Sequence, residues 1–235
     1  GEKMSGFVFK QFTVTQTRAA MKVSTDGILL GAWADVSGAK HILDIGTGTG
    51  LLALMAKQRM PDAKVSAIEI DSDACNDARD NFAASPWPDI NLFEGAVQSF
   101  SAAEPFDTII TNPPYFNASL KGENHARNTA RHADGLSFNE LIASCSRLSH
   151  SKTRLNVILP CVEAEQFIAV AEQAGWYLNR HCLVRTTDKK QASRSLMLFS
   201  QNNGECETTS LTIHAADGSY SQDYKELCKA FYLKM

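Results

Sequence analysis

The sequence predicts an α/β fold: a mostly parallel seven-stranded sheet with helices on both faces and an antiparallel hairpin near its C-terminal end. Three observations carry this prediction. From residue 41 onward, short apolar runs alternate with helical stretches, the pattern of a parallel sheet covered on both sides. A glycine-rich turn joins the first apolar run to the first helical stretch. Two β-rich runs flank a polar turn late in the chain.

Each element follows from its residues. Thr25-Asp26-Gly27 reads as a polar cap before a helix containing Leu29, Leu30 and Trp33. The first strand is HILDI, His41–Ile45. Thr49–Met60 carries the apolar face Leu51, Leu52, Leu54 and Met55 and stops at Pro61. Lys64–Ile70 is β-rich, and Asp73–Ala84 is helical with Asp71, Ser72 or Asp73 as its N-cap. Ile90–Phe93 and Phe106–Thr111 are the third and fourth strands. Ser137–His150 is helical, Leu155–Leu159 is the fifth strand, and Cys161–Ala174 is a helix closed by Gly175. His181–Arg185 and Ser195–Phe199 form the hairpin, and Asp223–Leu233 is a short amphipathic helix. Tyr115–Gly135 is a long polar and basic stretch, a length of irregular chain that marks function or disorder. No linker or repeat divides the chain. Residues 1–235 therefore read as one domain, with 1–40 an extension on the ligand site and 41–235 the core.

Bulk composition narrows the classes. The 235 residues are 44% apolar and 21% charged, which suits a soluble domain able to bury a sizeable core. Six cysteines show no C-x-x-C pair and no zinc spacing, which predicts free thiols, a reducing cytoplasm and no metal. No apolar run approaches the ~20 residues of a membrane span, and residues 1–10 lack the apolar stretch of a signal peptide. Nothing fixes the oligomeric state, and a monomer is favoured. The net charge of −3 opposes a nucleic-acid partner, but three segments are locally basic. They are residues 1–22, residues 121–132 with Arg127 and Arg131, and residues 180–194 with Arg185, Lys189, Lys190 and Arg194.

The turn Asp44-Ile45-Gly46-Thr47-Gly48-Thr49-Gly50 has the pattern G-x-G-x-G rather than G-x-G-x-x-G. Its glycines let backbone pass close to a ligand. Glu69 ends the second strand, 19 residues after Gly50. A carboxylate there can accept both hydroxyls of a ribose, at the strand ends where open α/β sheets bind ligands.

Asn112-Pro113-Pro114-Tyr115 follows the fourth strand. An isolated Asn-Pro-Pro is usually only a turn, but this one sits one strand from the glycine turn. An aniline-like or amide nitrogen is a poor nucleophile because its lone pair is delocalised. The Asn112 side-chain carbonyl and the Pro113 backbone carbonyl are two acceptors for its N–H bonds. They would draw it toward tetrahedral geometry and stabilise the charge that develops on it. Tyr115 offers an aromatic face to a planar base.

The glycine turn with Asp44 and Glu69 resembles the S-adenosylmethionine site of Rossmann-like class I methyltransferases. That resemblance implies that Asp44 orients the methionine end, that Gly46, Gly48 and Gly50 pass under the cofactor, that Glu69 holds the ribose, and that Ile70 packs on the adenine. The family often has an acidic residue after the third strand for the adenine amino group, where this chain has Ala96. The Asn-Pro-Pro-Tyr turn is similar to that of enzymes methylating adenine N6 or glutamine amides. Together with the Lys22–Gly31 string and the closing Tyr224-Lys225-Glu226-Leu227, it resembles bacterial tRNA (adenine-N6)-methyltransferases acting on valine tRNA at adenosine 37. By that resemblance Thr25 and Asp26 lie near the methionine end, the partner is tRNA, and the basic segments contact it. A glutamine methyltransferase of release factors is the alternative. Such enzymes usually carry a helical domain before the glycine turn, where this sequence has about 40 residues. A catalytically silent RNA- or cofactor-binding fold is the other alternative, and the intact motifs oppose it.

Overall fold

Strands β3 (His41–Ile45), β4 (Lys64–Glu69), β6 (Phe106–Thr111) and β7 (Ser149–Pro160) lie inside a central sheet, with β5 (Asn91–Glu94) at its edge. The computed structural model describes residues 5–16, 24–115 and 136–235. The sheet continues through β8 (Tyr177–Arg185), β9 (Arg194–Ser200) and β10 (Glu207–Thr212), in the order β10-β8-β9-β7-β6-β3-β4-β5. It therefore has eight strands rather than the predicted seven. The additional strand is β10, whose residues are exposed except near Leu211 and so carry no apolar pattern. The predicted antiparallel hairpin is present as β8 and β9. β9 is antiparallel to both β7 and β8, so β8 runs with the other strands and β9 alone opposes them. A separate hairpin, β1 (Ser5–Val8) with β2 (Thr13–Gln16), was not foreseen.

Successive strand residues feed opposite cores. Ile42, Ile110, Ile158 and Leu198 join helices α1 (Thr25–Trp33), α2 (Leu51–Arg59), α3 (Ser72–Ala84) and the C-terminal α6 (Gln222–Cys228). Leu43, Ile109, Val157 and Met197 join α4 (Phe138–Arg147) and α5 (Cys161–Gln173) on the other face. Burial on both faces is why these strands read as continuous apolar runs.

Caps set the helix starts. Ser24 accepts the Gly27 N–H and Asp71 accepts the Ala74 N–H. Thr25-Asp26-Gly27 is thus the first turn of α1 and Ser24 its cap, one residue earlier than read from sequence. The C-terminal helix ends at Cys228 rather than continuing to Leu233. Beyond it, Tyr232 forms a bridge with Phe9 of the N-terminal segment. The carboxyl ends of β3, β4, β5, β6, β7 and β8 all lie at one edge of the sheet.

Candidate active site

At that edge a cavity of about 290 Å³ opens over the ends of β3, β4, β5 and β6. Its floor is the glycine turn. Gly46, Gly48 and Gly50 have φ of 74°, 57° and 97°, a region that favours glycine. A Cβ on Gly46 or Gly48 would meet nothing within 4 Å, so open space lies directly above the backbone. Gly50 has a different reason to be glycine. A Cβ there would come within 2.5 Å of the Phe82 ring, so its absence lets α3 pack under the turn.

Glu69 binds the turn from the neighbouring strand. Its Oε1 accepts the Gly48 N–H at 2.8 Å, and its Oε2 accepts the N–H groups of Ile70 and Asp71 at 3.0 Å each. Three donors fix the carboxylate; Oε2 accepts two of them, and Oε1, which accepts one, keeps acceptor capacity for a ligand. Ile70 is 44% exposed on the cavity wall. An apolar side chain so exposed beside a cavity is available to a planar group.

Asp44 lies buried beneath the turn. Its Oδ2 accepts the Thr47 hydroxyl at 2.6 Å and the Ala53 N–H at 3.1 Å. Among the described residues its Oδ1 has no partner. Burial pushes the carboxyl up to about 7; the Thr47 hydroxyl and the Ala53 N–H pull against this, and the charge of Glu69 adds to it. A buried oxygen of this kind calls for a ligand that brings a hydrogen-bond donor or a positive charge. The amino-acid ammonium of S-adenosylmethionine is such a group, and the open cradle over Gly46 and Gly48 suits the body of that molecule.

Asn112, Pro113 and Pro114 form the far wall of the same cavity. Their position is set by Thr111, whose buried hydroxyl donates to the Ile45 carbonyl at 2.9 Å. This bond ties the end of β6 to the start of the glycine turn. Tyr115, just outside, is 38% exposed.

The Methyltransferase small domain profile matches residues 26–135. The tRNA1(Val) (adenine(37)-N6)-methyltransferase of Pseudoalteromonas translucida is 56% identical over 232 residues, covering 99% of this chain and 100% of that one. The enzyme of the same name from Aeromonas hydrophila is 43% identical, covering 98% of each. The chain belongs to this methyltransferase family. Solved structures agree on the fold. A predicted O-methyltransferase from Agrobacterium tumefaciens has a TM-score of 0.66 at 21% identity, covering 88% of this chain and 96% of its own. A putative class I S-adenosylmethionine-dependent methyltransferase from Listeria monocytogenes has a TM-score of 0.60 at 15% identity, covering 84% and 67%. As a methyltransferase of this class the protein uses S-adenosylmethionine.

Within the methyltransferase, the expected residues fall into three groups. Gly46, Gly48, Glu69, Ile70, Asn112 and Pro113 line one cavity, with Asp44 beneath it and Tyr115 at its rim. Thr25 and Asp26 do not line it; their neighbours Ser24 and Gly27 do. Asp26 instead accepts the Arg194 Nε–H at 2.8 Å, so the expected cofactor residue and the expected RNA residue pair with each other. Arg194 also lies within electrostatic reach of Tyr115 and Cys161. Arg185 ends β8, and Lys189 and Lys190 are exposed in the turn leading to Arg194. All four belong to the cavity edge of the sheet, two or three strands from β6, roughly 10–14 Å at the usual strand spacing. Arg127 and Arg131 lie outside the described residues.

Sequence reasoning missed Thr111, Asn81 and Gln98. Asn81, buried on α3, accepts the Thr15 N–H and hydroxyl at 2.8 Å each and donates to the carbonyls of Thr15 and Thr49. It fastens the N-terminal hairpin to the glycine turn. Only a polar residue at a buried helical position could have signalled this. Among the described residues, no cluster of His, Cys, Asp or Glu could hold a metal ion, and no helix is long and apolar enough to cross a membrane.

Proposed function

We propose that this protein transfers a methyl group to the N6 amino group of adenosine 37 in valine tRNA. The observation that carries the reading is the shared cavity, in which Asn112 and Pro113 face a cradle built from Gly46, Gly48 and Glu69. The name of the relatives, 43–56% identical over nearly the whole chain, supports adenine as the target.

The chain's own residues divide the work. Asp44, with its unpartnered Oδ1, holds the amino-acid end of the donor, and Glu69 holds the ribose. When bound, S-adenosylmethionine supplies a methyl group on a cationic sulfur, an electrophile that needs no metal. Asn112 Oδ1 and the Pro113 carbonyl accept the two N–H bonds of the adenine amino group and orient its lone pair. They also stabilise the positive charge that grows on that nitrogen. The Tyr115 ring supports the base, a contact that contributes about 1–3 kcal/mol in single-stranded recognition. The adenine must leave its stack to reach the cavity, which costs least in a loop. Arg185, Lys189, Lys190, Arg194, Arg127 and Arg131 serve the tRNA backbone. We read residues 1–235 as one methyltransferase domain working as a monomer in the cytoplasm.

Labelled methyl transfer tests the reading. With S-adenosylmethionine, the protein should label tRNA from cells lacking the modification and leave release-factor protein unlabelled. Labelling of a glutamine amide, or of neither, overturns it.

A further inference from the structure

We propose that Gln98 reads the amino edge of the cofactor's adenine, and that Glu140 sets the direction of its amide. The inference rests on the cavity's holding the nucleoside of S-adenosylmethionine. With the ribose at Glu69, the base extends along the sheet edge, between Ile70 and the next strand's exit, Gly95-Ala96-Val97-Gln98. All of these residues line the cavity. An adenine there presents two N–H bonds on its exocyclic nitrogen, and a wall that selects it needs an acceptor. Gly95, Ala96 and Val97 have no polar side chain. Gln98 is the one residue of this exit that can place a side-chain oxygen in the cavity.

A glutamine amide is ambiguous by itself, since it can turn over and present N–H groups in place of oxygen. Here a neighbouring carboxylate favours one orientation, from the exposed rim of the cavity. Gln98 Nε2 donates to Glu140 Oε2 at 3.0 Å, and an ionised carboxylate can only accept. Glu140 is in turn placed by α4, where its N–H donates to the Ser137 cap at 3.1 Å. With the NH₂ committed to Glu140, Gln98 Oε1 remains as the acceptor for the base. The pocket is thereby matched to a 6-amino purine and mismatched to a 6-oxo purine, whose oxygen would oppose Oε1. Gln98 is a binding residue and Glu140 a positioning residue.

Calorimetric titration with S-adenosylhomocysteine and S-inosylhomocysteine separates these roles without turnover. The unmodified protein should prefer the adenine compound by about tenfold or more, the worth of one or two hydrogen bonds. Gln98→Ala should shrink that preference to within about threefold, chiefly by weakening the adenine compound. Glu140→Ala should also shrink it, but by strengthening the inosine compound, because the freed amide can turn over. Ala96→Asp added to Gln98→Ala should restore the preference by supplying a new acceptor. An unchanged preference in Gln98→Ala overturns the proposal. Failure of the unmodified protein to bind S-adenosylhomocysteine is a different result, and it contradicts the reading of the cavity itself.

Discussion

Burial makes a charge on Asp44 unfavourable in the ligand-free protein. Its carboxyl is raised from 3.8 to about 7, so the folded state holds a proton that the unfolded chain releases. Stability from this group is therefore greatest near pH 4 and falls as pH rises through about 7, by a few kcal/mol. The melting temperature of the ligand-free protein should drop between pH 6 and pH 8. Asp44→Asn keeps an oxygen for Thr47 and Ala53 and should lessen that drop; an equal drop in the variant would show that Asp44 is not its source. S-adenosylhomocysteine, which brings an ammonium, should raise the melting temperature more at pH 8 than at pH 6. In the proposed reading Asn112 acts on the other substrate. Asn112→Ala should reduce kcat on the order of 10²-fold, as loss of one preorganised dipole does, with cofactor affinity nearly unchanged. A loss of only a few-fold in kcat would rule out amino-group polarisation as the main effect.

Buried polar bonds outside the motifs help to hold elements to the site. Asn81 joins β2 to the glycine turn, and Asn81→Ala should cost about 2 kcal/mol by leaving the Thr15 N–H and the Thr49 carbonyl without their partner. Thermal unfolding checks this, and a melting temperature unchanged within 1 °C or so would show that water takes the place of the amide. The strand and helix pattern of residues 41–185 was legible because alternate residues of each strand enter two cores and both kinds were apolar. β10 was not, since Glu207–Ser210 is an exposed polar edge. Nor was the direction of β8, because residue type does not record which way a strand runs. The glycine turn, Glu69 and Asn112–Tyr115 were legible because backbone geometry and acceptor chemistry restrict residue type. The Asp26–Arg194 pair was not, because its partners are 168 residues apart and each alone resembles a ligand-binding charge.

At the scale of the whole molecule, a chain of net charge −3 must offer tRNA a local positive surface. In the proposed reading Arg185, Lys189, Lys190 and Arg194 supply it on the cavity edge, with Arg194 partly neutralised by Asp26. Charge reversal of Lys189 and Lys190 should weaken tRNA binding and flatten its dependence on salt, while S-adenosylhomocysteine binding stays the same. Filter binding across a salt series measures this, and an unaltered slope would place the RNA elsewhere. The central claim concerns one atom of one nucleotide, so the most direct measurement is mass spectrometry of valine tRNA from cells lacking this gene. The anticodon-loop fragment should lack N6-methyladenosine at position 37, regain it with the intact protein, and stay unmodified with Asn112→Ala. A fragment that keeps the methyl group in the deletion strain, or regains it with Asn112→Ala, would contradict the account.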